Sequence, residues 1–400
     1  MNTETKMNLT PIDETEVAKV PQFPLFREGA EVILGRSLEA GEIVMPVAPS
    51  NREMFGPRGA CLISDGPLWV SDTGHHRLLG WRNLPTQDSQ PADWVIGQPD
   101  FNHEGQNAKG KPGRSTLSVP TGICACGEGL AVADAWNHRV LIWKKLPESS
   151  NVPADFVLGQ AHFTENEPNR GNQAAANSLN WCYGVFCHQG KLFVADTGNR
   201  RVLIWHQLPE ENGQPADLVL GQPNMTSRDE NGGGTPSASS MRWGHDITVW
   251  GENLVVTDAG NNRVMIWQGI PTENNAPCAV VLGQKTFDSV EINQGVYLPS
   301  AKSLSMPYGV AAADEWLFVA DTANSRVVGW RKPPSILSLQ GAESHALAGQ
   351  INFKSKGENR DFGLPKRDSL HWSYGIKVWG NTAVIADSGN NRVLLWKITK

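Results

Sequence analysis

The 400-residue chain has no run of about 18 apolar residues, so no membrane-spanning helix is expected. Its start, "MNTETKMNLTPIDETEVAKV", has no basic stretch leading into an apolar one, so no secretory signal is expected either. Cysteine is scarce: Cys61, Cys124, Cys126, Cys182, Cys187 and Cys278 include no C-x-x-C pair and no metal-finger spacing. They read as small buried hydrophobes in a reducing, cytoplasmic protein; for Cys124 and Cys126, two residues apart on one strand face, two buried thiols are expected rather than a pair or a metal site. Charged residues make up only 19% of the chain, and the balance is 35 − 41 = −6. That excludes a general attraction for nucleic acid or an anionic membrane. Basic clusters such as Lys109, Lys111 and Arg114, or Lys354, Lys356, Arg360, Lys366 and Arg367, read as loop solvation. The common catalytic signatures G-x-S-x-G and H-E-x-x-H are missing. "GQNAKGK" from Gly105 resembles the start of a phosphate loop but runs into Pro112, so no such loop is expected. Nothing in the stretch from Leu179 to Met225 shows a helical period over ten or more residues.

What is present is repetition. "DTGHHRLLGW" from Asp72 returns as "DAWNHRVLIW" from Asp134, "DTGNRRVLIW" from Asp196, "DAGNNRVMIW" from Asp258, "DTANSRVVGW" from Asp321 and "DSGNNRVLLW" from Asp387. The leading aspartates are 62, 62, 62, 63 and 66 residues apart. A second signature, "VILG" at Gly35, "VIGQ" at Gly97, "VLGQ" at Gly159, Gly221 and Gly283 and "LAGQ" at Gly349, keeps nearly the same step. Such periodicity has to be settled before any fold is assigned.

One unit reads "YGVFCHQG", "KLFVAD", the turn "TGN", "RRVLIWHQLP", a Pro-containing loop and "LVLGQ". That is four short strands rich in branched and aromatic residues, separated by turn formers. The third strand is apolar at successive positions, as a strand covered on both faces must be. Four-stranded sheets stacked between like sheets are propeller blades, so six units predict an all-β, single six-bladed β-propeller. "VILG" at Val32–Gly35 has no string before it, and the string at Asp387 has no "VLGQ" after it. The N-terminal strand is therefore expected to complete the sixth blade and leave no long free edge. Residues 1–28 are expected to form a mobile tail, and residues 29–400 the propeller.

The D-[TAS]-x-[NH]-x-R-[VL] string in all six units, with "P-x-G-[IV]" or "Y-G-[IV]" strand openings, resembles the NHL-repeat β-propeller family, in a bacterial subgroup with "VLGQ" strands. The resemblance implies the fold. It leaves the function open, since the family includes RNA-binding modules, protein-interaction modules, sensor domains and a metal-dependent amidating lyase.

A feature repeated six times solves a problem every blade has. The string aspartates and the closing tryptophans Trp81, Trp143, Trp205, Trp267, Trp330 and Trp396 therefore read as structural, the arginines as partners of carboxylates. Function is sought where the six-fold pattern breaks. The openings of the first strands are "MFGPRG" at Met54, "LSVPTG" at Leu117, "LNWCYG" at Leu179, "MRWGHD" at Met241, "LSMPYG" at Leu304 and "LHWSYG" at Leu370. Their fifth column is Arg58, Thr121, Tyr183, His245, Tyr308 and Tyr374, and the sixth is glycine except for Asp246. Trp181, Trp243 and Trp372 fill the third column; Asn180, Arg242 and His371 stand in the second and Cys182 in the fourth. This mouth suits a small polar or aromatic ligand or a protruding loop of a protein partner. Loops of about 20 residues after each "VLGQ" are expected on the same face as a collar.

Two functions follow. The first is a ligand- or protein-binding scaffold using the mouth (Arg58, Trp181, Tyr183, Arg242, Trp243, His245, Asp246, Tyr308, His371, Trp372 and Tyr374) and the collar, with no membrane or nucleic-acid partner. The alternative, which the resemblance to the amidating lyase implies, is a metal-dependent lyase or hydrolase. A single zinc or other first-row ion would then be held by His245, Asp246, His371 and Cys182.

Overall fold

The computed structural model describes Leu25, residues 28–35, 47–64 and 66–398. Among these residues, six antiparallel four-stranded sheets form the blades of a β-propeller. In blade 3 the order from the centre outward is Val185–His188, Lys191–Asp196, Arg201–Trp205 and Leu218–Leu220. The inner strands of the other blades are Gly59–Leu62 in blade 1, Pro120–Cys126 in blade 2, Gly244–Trp250 in blade 4, Pro307–Ala313 in blade 5 and Ser373–Trp379 in blade 6. Each inner strand touches the next around the ring, and blade 6 meets blade 1.

Closure is as the repeat phase requires. Val32–Gly35 is the outermost strand of blade 6 and pairs antiparallel with Arg392–Lys397, Val32 facing Leu395 and Gly35 facing Arg392. Leu25, inside the segment expected to be a mobile tail, is buried and bridges Ile398. The remainder of that tail up to residue 24 lies outside the described residues.

Apolar residues gather in six clusters, and each cluster joins two neighbouring blades. Between blades 2 and 3, for example, Ala131, Val140 and Leu158 meet Leu192, Val194 and Val219. A strand buried on both faces feeds two such clusters, which is why "RVLIW" has no polar alternate position. The closing tryptophans fill the periphery, and Trp81, Trp143, Trp205, Trp267 and Trp330 each donate an indole N–H to a carbonyl of the following loop.

The inner strands of blades 2 and 3 are joined by a disulfide, Cys126–Cys187, with Cα atoms 5.3 Å apart. This corrects the expectation that Cys126 is a free thiol and removes the ground for assigning a reducing compartment. The two residues are 61 apart, about one repeat, which brings them side by side across a blade junction. The other four cysteines are free and buried. No helix among the described residues is long and apolar enough to cross a membrane.

Candidate functional site

The repeated string builds the face on which any site must lie. In blade 3, Asp196 accepts at one carboxylate oxygen from the Asn199 amide and the Arg201 Nε–H, at 2.8 and 2.7 Å. Its other oxygen accepts from the backbone N–H of Asn180, at 2.7 Å. Arg201 spends its remaining donors on the carbonyls of Met225, Ala175 and Ser178 in the two flanking collar loops. The same bonds recur around the ring, with the third residue after "GQ" as acceptor: Phe101, Phe163, Phe287 and Phe353 in place of Met225. This explains why the two signatures keep one phase. All six aspartates and their arginines are buried, so each charge is neutralised where it sits. The long loops are thereby fastened over the D-x-x-N turns, as a collar on one face. Blade 1 departs in detail: His75 replaces the asparagine and lies 2.8 Å from Asp72.

Inside the collar, the fifth-column side chains close on one another. The His245 ring lies 4.1 Å from Tyr308 at 9° between planes, and 4.5 Å from Tyr183. Tyr308 meets Tyr374 at 4.8 Å, and the Arg58 guanidinium sits 4.6 Å from Tyr374 and 5.8 Å from Tyr183. Five blades thus contribute to a continuous stopper, and Thr121 of blade 2 donates its hydroxyl to the Tyr183 carbonyl. Burial pushes the His245 imidazole down to about 4, so the ring is neutral, with Nδ1–H donating to the Trp243 carbonyl. Burial likewise pushes Tyr308 up to about 12.

Asp246, the sixth-column exception, has a partner the sequence reading did not name. The Lys377 ammonium of blade 6 lies 2.7 and 2.8 Å from its two oxygens, and the backbone N–H groups of Ile247 and Val310 also donate to it. Arg242 points elsewhere. It lies 3.2 Å from Glu230 and stacks 5.1 Å from Trp243. His371 packs on Trp372 at 4.9 Å and lies 3.3 Å from Glu358. Trp181 stands edge-on to both Tyr183 and His245.

The proposed metal set is therefore not assembled. Cys182 is in the core between blades 2 and 3, its thiol donating to the Arg139 carbonyl, and burial raises its pKa well above the ordinary value. His245 is committed to the stopper, Asp246 to Lys377 and His371 to the rim. Among the described residues, no group of three His, Cys, Asp or Glu side chains could hold a metal ion.

Two features escaped the sequence reading although their signals were visible. Lys377 is the one charged residue at its level of the inner strands, where the other blades have Cys61, Cys124, Phe186, Thr248 and Ala311. Trp136 occupies the turn position filled by Gly74, Gly198, Gly260, Ala323 and Gly389 elsewhere. At those glycines a Cβ would collide with the side chain of the second-column residue, Phe55, Asn180, Arg242 or His371, at 2.3 to 2.8 Å. In blade 2 that residue is Ser118, small enough to let the tryptophan stand there, half exposed at 52%. The collar loops of blades 4–5 and 5–6 carry a further exposed apolar set, with Tyr297 at 79% and Phe362 at 80%. Lys356 ties these loops together, its ammonium 3.6 Å from the Tyr297 ring and donating to the Tyr297 carbonyl.

No family model matches the chain, and no curated protein matches it. Among solved structures it is similar to a hydrazine synthase from Kuenenia stuttgartiensis, at 11% identity, TM-score 0.48, covering 91% of this chain and 99% of that one. It is also similar to a streptogramin B lyase, at 10% identity, TM-score 0.42, covering 89% and 96%. A third is a catalytically inactive virginiamycin B lyase from Staphylococcus aureus with quinupristin, at 13% identity, TM-score 0.44, covering 86% and 95%. At these identities the likeness says nothing of what this chain binds.

Proposed function

We propose that the protein is a binding scaffold, a divergent relative of the NHL-repeat propellers, whose collar face docks a partner protein. One observation carries the reading: two adjacent collar loops hold Ile292, Val296, Tyr297, Phe362 and Leu364 out in solvent on a rigid ring. Apolar side chains gathered on neighbouring loops mark an interaction surface, and a rigid collar loses little entropy on binding. The self-contacting stopper directs binding away from the channel and onto the collar.

The test is affinity capture from the native cell with quantitative mass spectrometry, comparing the parent, Tyr297→Ser/Phe362→Ser and His245→Phe. A partner retained by the parent and by the stopper variant, but lost with the collar variant, is the expected result. If no protein depends on the two collar residues, the reading fails.

A further inference from the structure

The junction of blades 2 and 3 opens on the collar face as a cavity of about 400 Å³. Volumes of this size are typical of small-molecule sites, which run from about 300 Å³ upward. Its walls include the indoles of Trp136 and Trp181, one from each blade, with Gln106, Asn166, Ser118 and His138. Asn107 and Asn137 also line it, but they hydrogen-bond each other, as Asn169 and Asn199 do one blade on, and belong to the scaffold.

Three departures from the repeat meet here. Trp136 replaces glycine or alanine, as above. Asn166 stands where the other collar loops carry Glu104, Arg228, Val290 and Lys356, and Gln106 stands where they carry Pro168, Glu230, Ile292 and Glu358. The other junctions bring at most one indole to these two positions: Gly74 faces Val119, Gly198 Trp243, Gly260 Met306, Ala323 Trp372 and Gly389 Gly56. The polar groups are also unspent. Among the described residues, the side chains of Gln106 and Asn166 and the indole N–H groups of Trp136 and Trp181 make no hydrogen bond. His138 accepts at Nδ1 from the Trp181 backbone N–H, at 2.8 Å, which leaves the proton on Nε2 with no partner among the described residues.

The lining narrows the ligand class. Neither a cationic side chain nor a carboxylate lines the cavity, so a charged ligand would find no opposite charge to pair with there. The wall offers flat aromatic faces beside carboxamides, which both donate and accept, as hydroxyl groups do. We propose that this pocket binds a neutral carbohydrate, with a sugar ring stacked on an indole and its hydroxyls hydrogen-bonded to Gln106, Asn166 and His138. The proposal is independent of the protein-docking surface, which lies on the collar loops of blades 4–6.

The full chain is screened on an array of neutral glycans. It is then titrated by tryptophan fluorescence and calorimetry with glucose, N-acetylglucosamine, cellobiose and chitobiose, and with glucuronate and adenosine as contrasting probes. The expected result is saturable binding of a neutral saccharide, weakened at least about tenfold by Trp136→Ala, the scale of one lost aromatic contact. Asn166→Lys, the residue of the blade 5–6 loop, should weaken it similarly, and Tyr297→Ser/Phe362→Ser should leave it unchanged. Alanine or glycine holds the Trp136 position in every other blade, so the variant is expected to keep its melting temperature. No neutral glycan binding, binding that survives Trp136→Ala, or tighter binding of adenosine or glucuronate than of every neutral saccharide would each overturn the proposal.

Discussion

His245 shows how a single side chain at this mouth couples folding to pH. Its imidazole is almost wholly buried against Tyr308 and Tyr183, and burial, with the Arg58 guanidinium as a lesser cause, pushes it down to about 4. In the unfolded chain a histidine titrates near 6.5. The native state therefore binds fewer protons than the unfolded state between these values. The stabilisation is fully present above about pH 6.5 and is lost as pH falls toward about 4. A depression of this size corresponds to about 3 kcal/mol. His245→Phe keeps a ring against Tyr308 and removes the titration. Urea denaturation at pH 7.5 and pH 4.5 should show the parent losing stability over this interval by about 2–3 kcal/mol more than the variant does. An equal loss in both proteins would mean that His245 is solvated or paired in solution.

At the scale of strand and turn, much of the molecule was legible in the sequence, because each element is written six times. The D-x-x-N-x-R string could be read as structural since no catalytic site needs six copies, and the bonds from Asp196 to Asn199 and Arg201 realise that reading. The mouth column was legible too: the fifth-column residues of five blades do meet. What they do there was not legible, because ring-to-ring distances depend on the channel radius, which no spacing reveals. Asp246 illustrates the limit. Its partner Lys377 lies 131 residues away, two blades round the ring, while the sequence neighbours Arg242 and His245 turn elsewhere. Trp136 was missed for a different reason. It sits within the most regular string, and its meaning emerges only when Ser118 is seen to vacate the space that Phe55, Asn180, Arg242 and His371 fill in other blades. The disulfide is the third such case: Cys126 and Cys187 were read within their own strands, whereas a separation of nearly one repeat makes them neighbours across blades. Thiol titration of the denatured, unreduced chain should find four groups, from Cys61, Cys124, Cys182 and Cys278. Reduction should raise the count to six, and a peptide map should link Cys126 to Cys187. A cross-link spanning 61 residues contributes about 4 kcal/mol by loop-closure entropy. Six thiols without reduction would refute the link.

At the scale of the whole molecule, the ring stands or falls on a strand contributed by the far end of the chain. Each blade rests on two neighbours through an apolar cluster, so a gap at any junction exposes two faces. Val32, Ile33 and Leu34 are all buried, and Ile33 and Leu34 feed different clusters, one toward blade 5 and one toward blade 1. Burying two such side chains is worth roughly 3–6 kcal/mol, before the backbone bonds to Arg392–Lys397 are counted. Deleting residues 1–35 should therefore lower the melting temperature by roughly 5–10 °C, since a 400-residue chain shifts by less than the roughly 2–4 °C per kcal/mol of a domain half its size. It should also leave the Arg392–Lys397 edge open to association. Deletion alone does not separate loss of closure from general damage, but the geometry supplies a rescue. Leu25 already bridges Ile398, so residues 25–35 can follow residue 400 through a short turn and return as the fourth strand of a continuous hairpin. The permuted chain, running from residue 36 to 400 and then from 25 to 35, keeps every described pairing while moving the seam of the ring. It should melt within a few degrees of the parent and remain monodisperse wherever the parent does. If the deletion melts as high as the parent, or the permutant as low as the deletion, the ring is not closed by this strand.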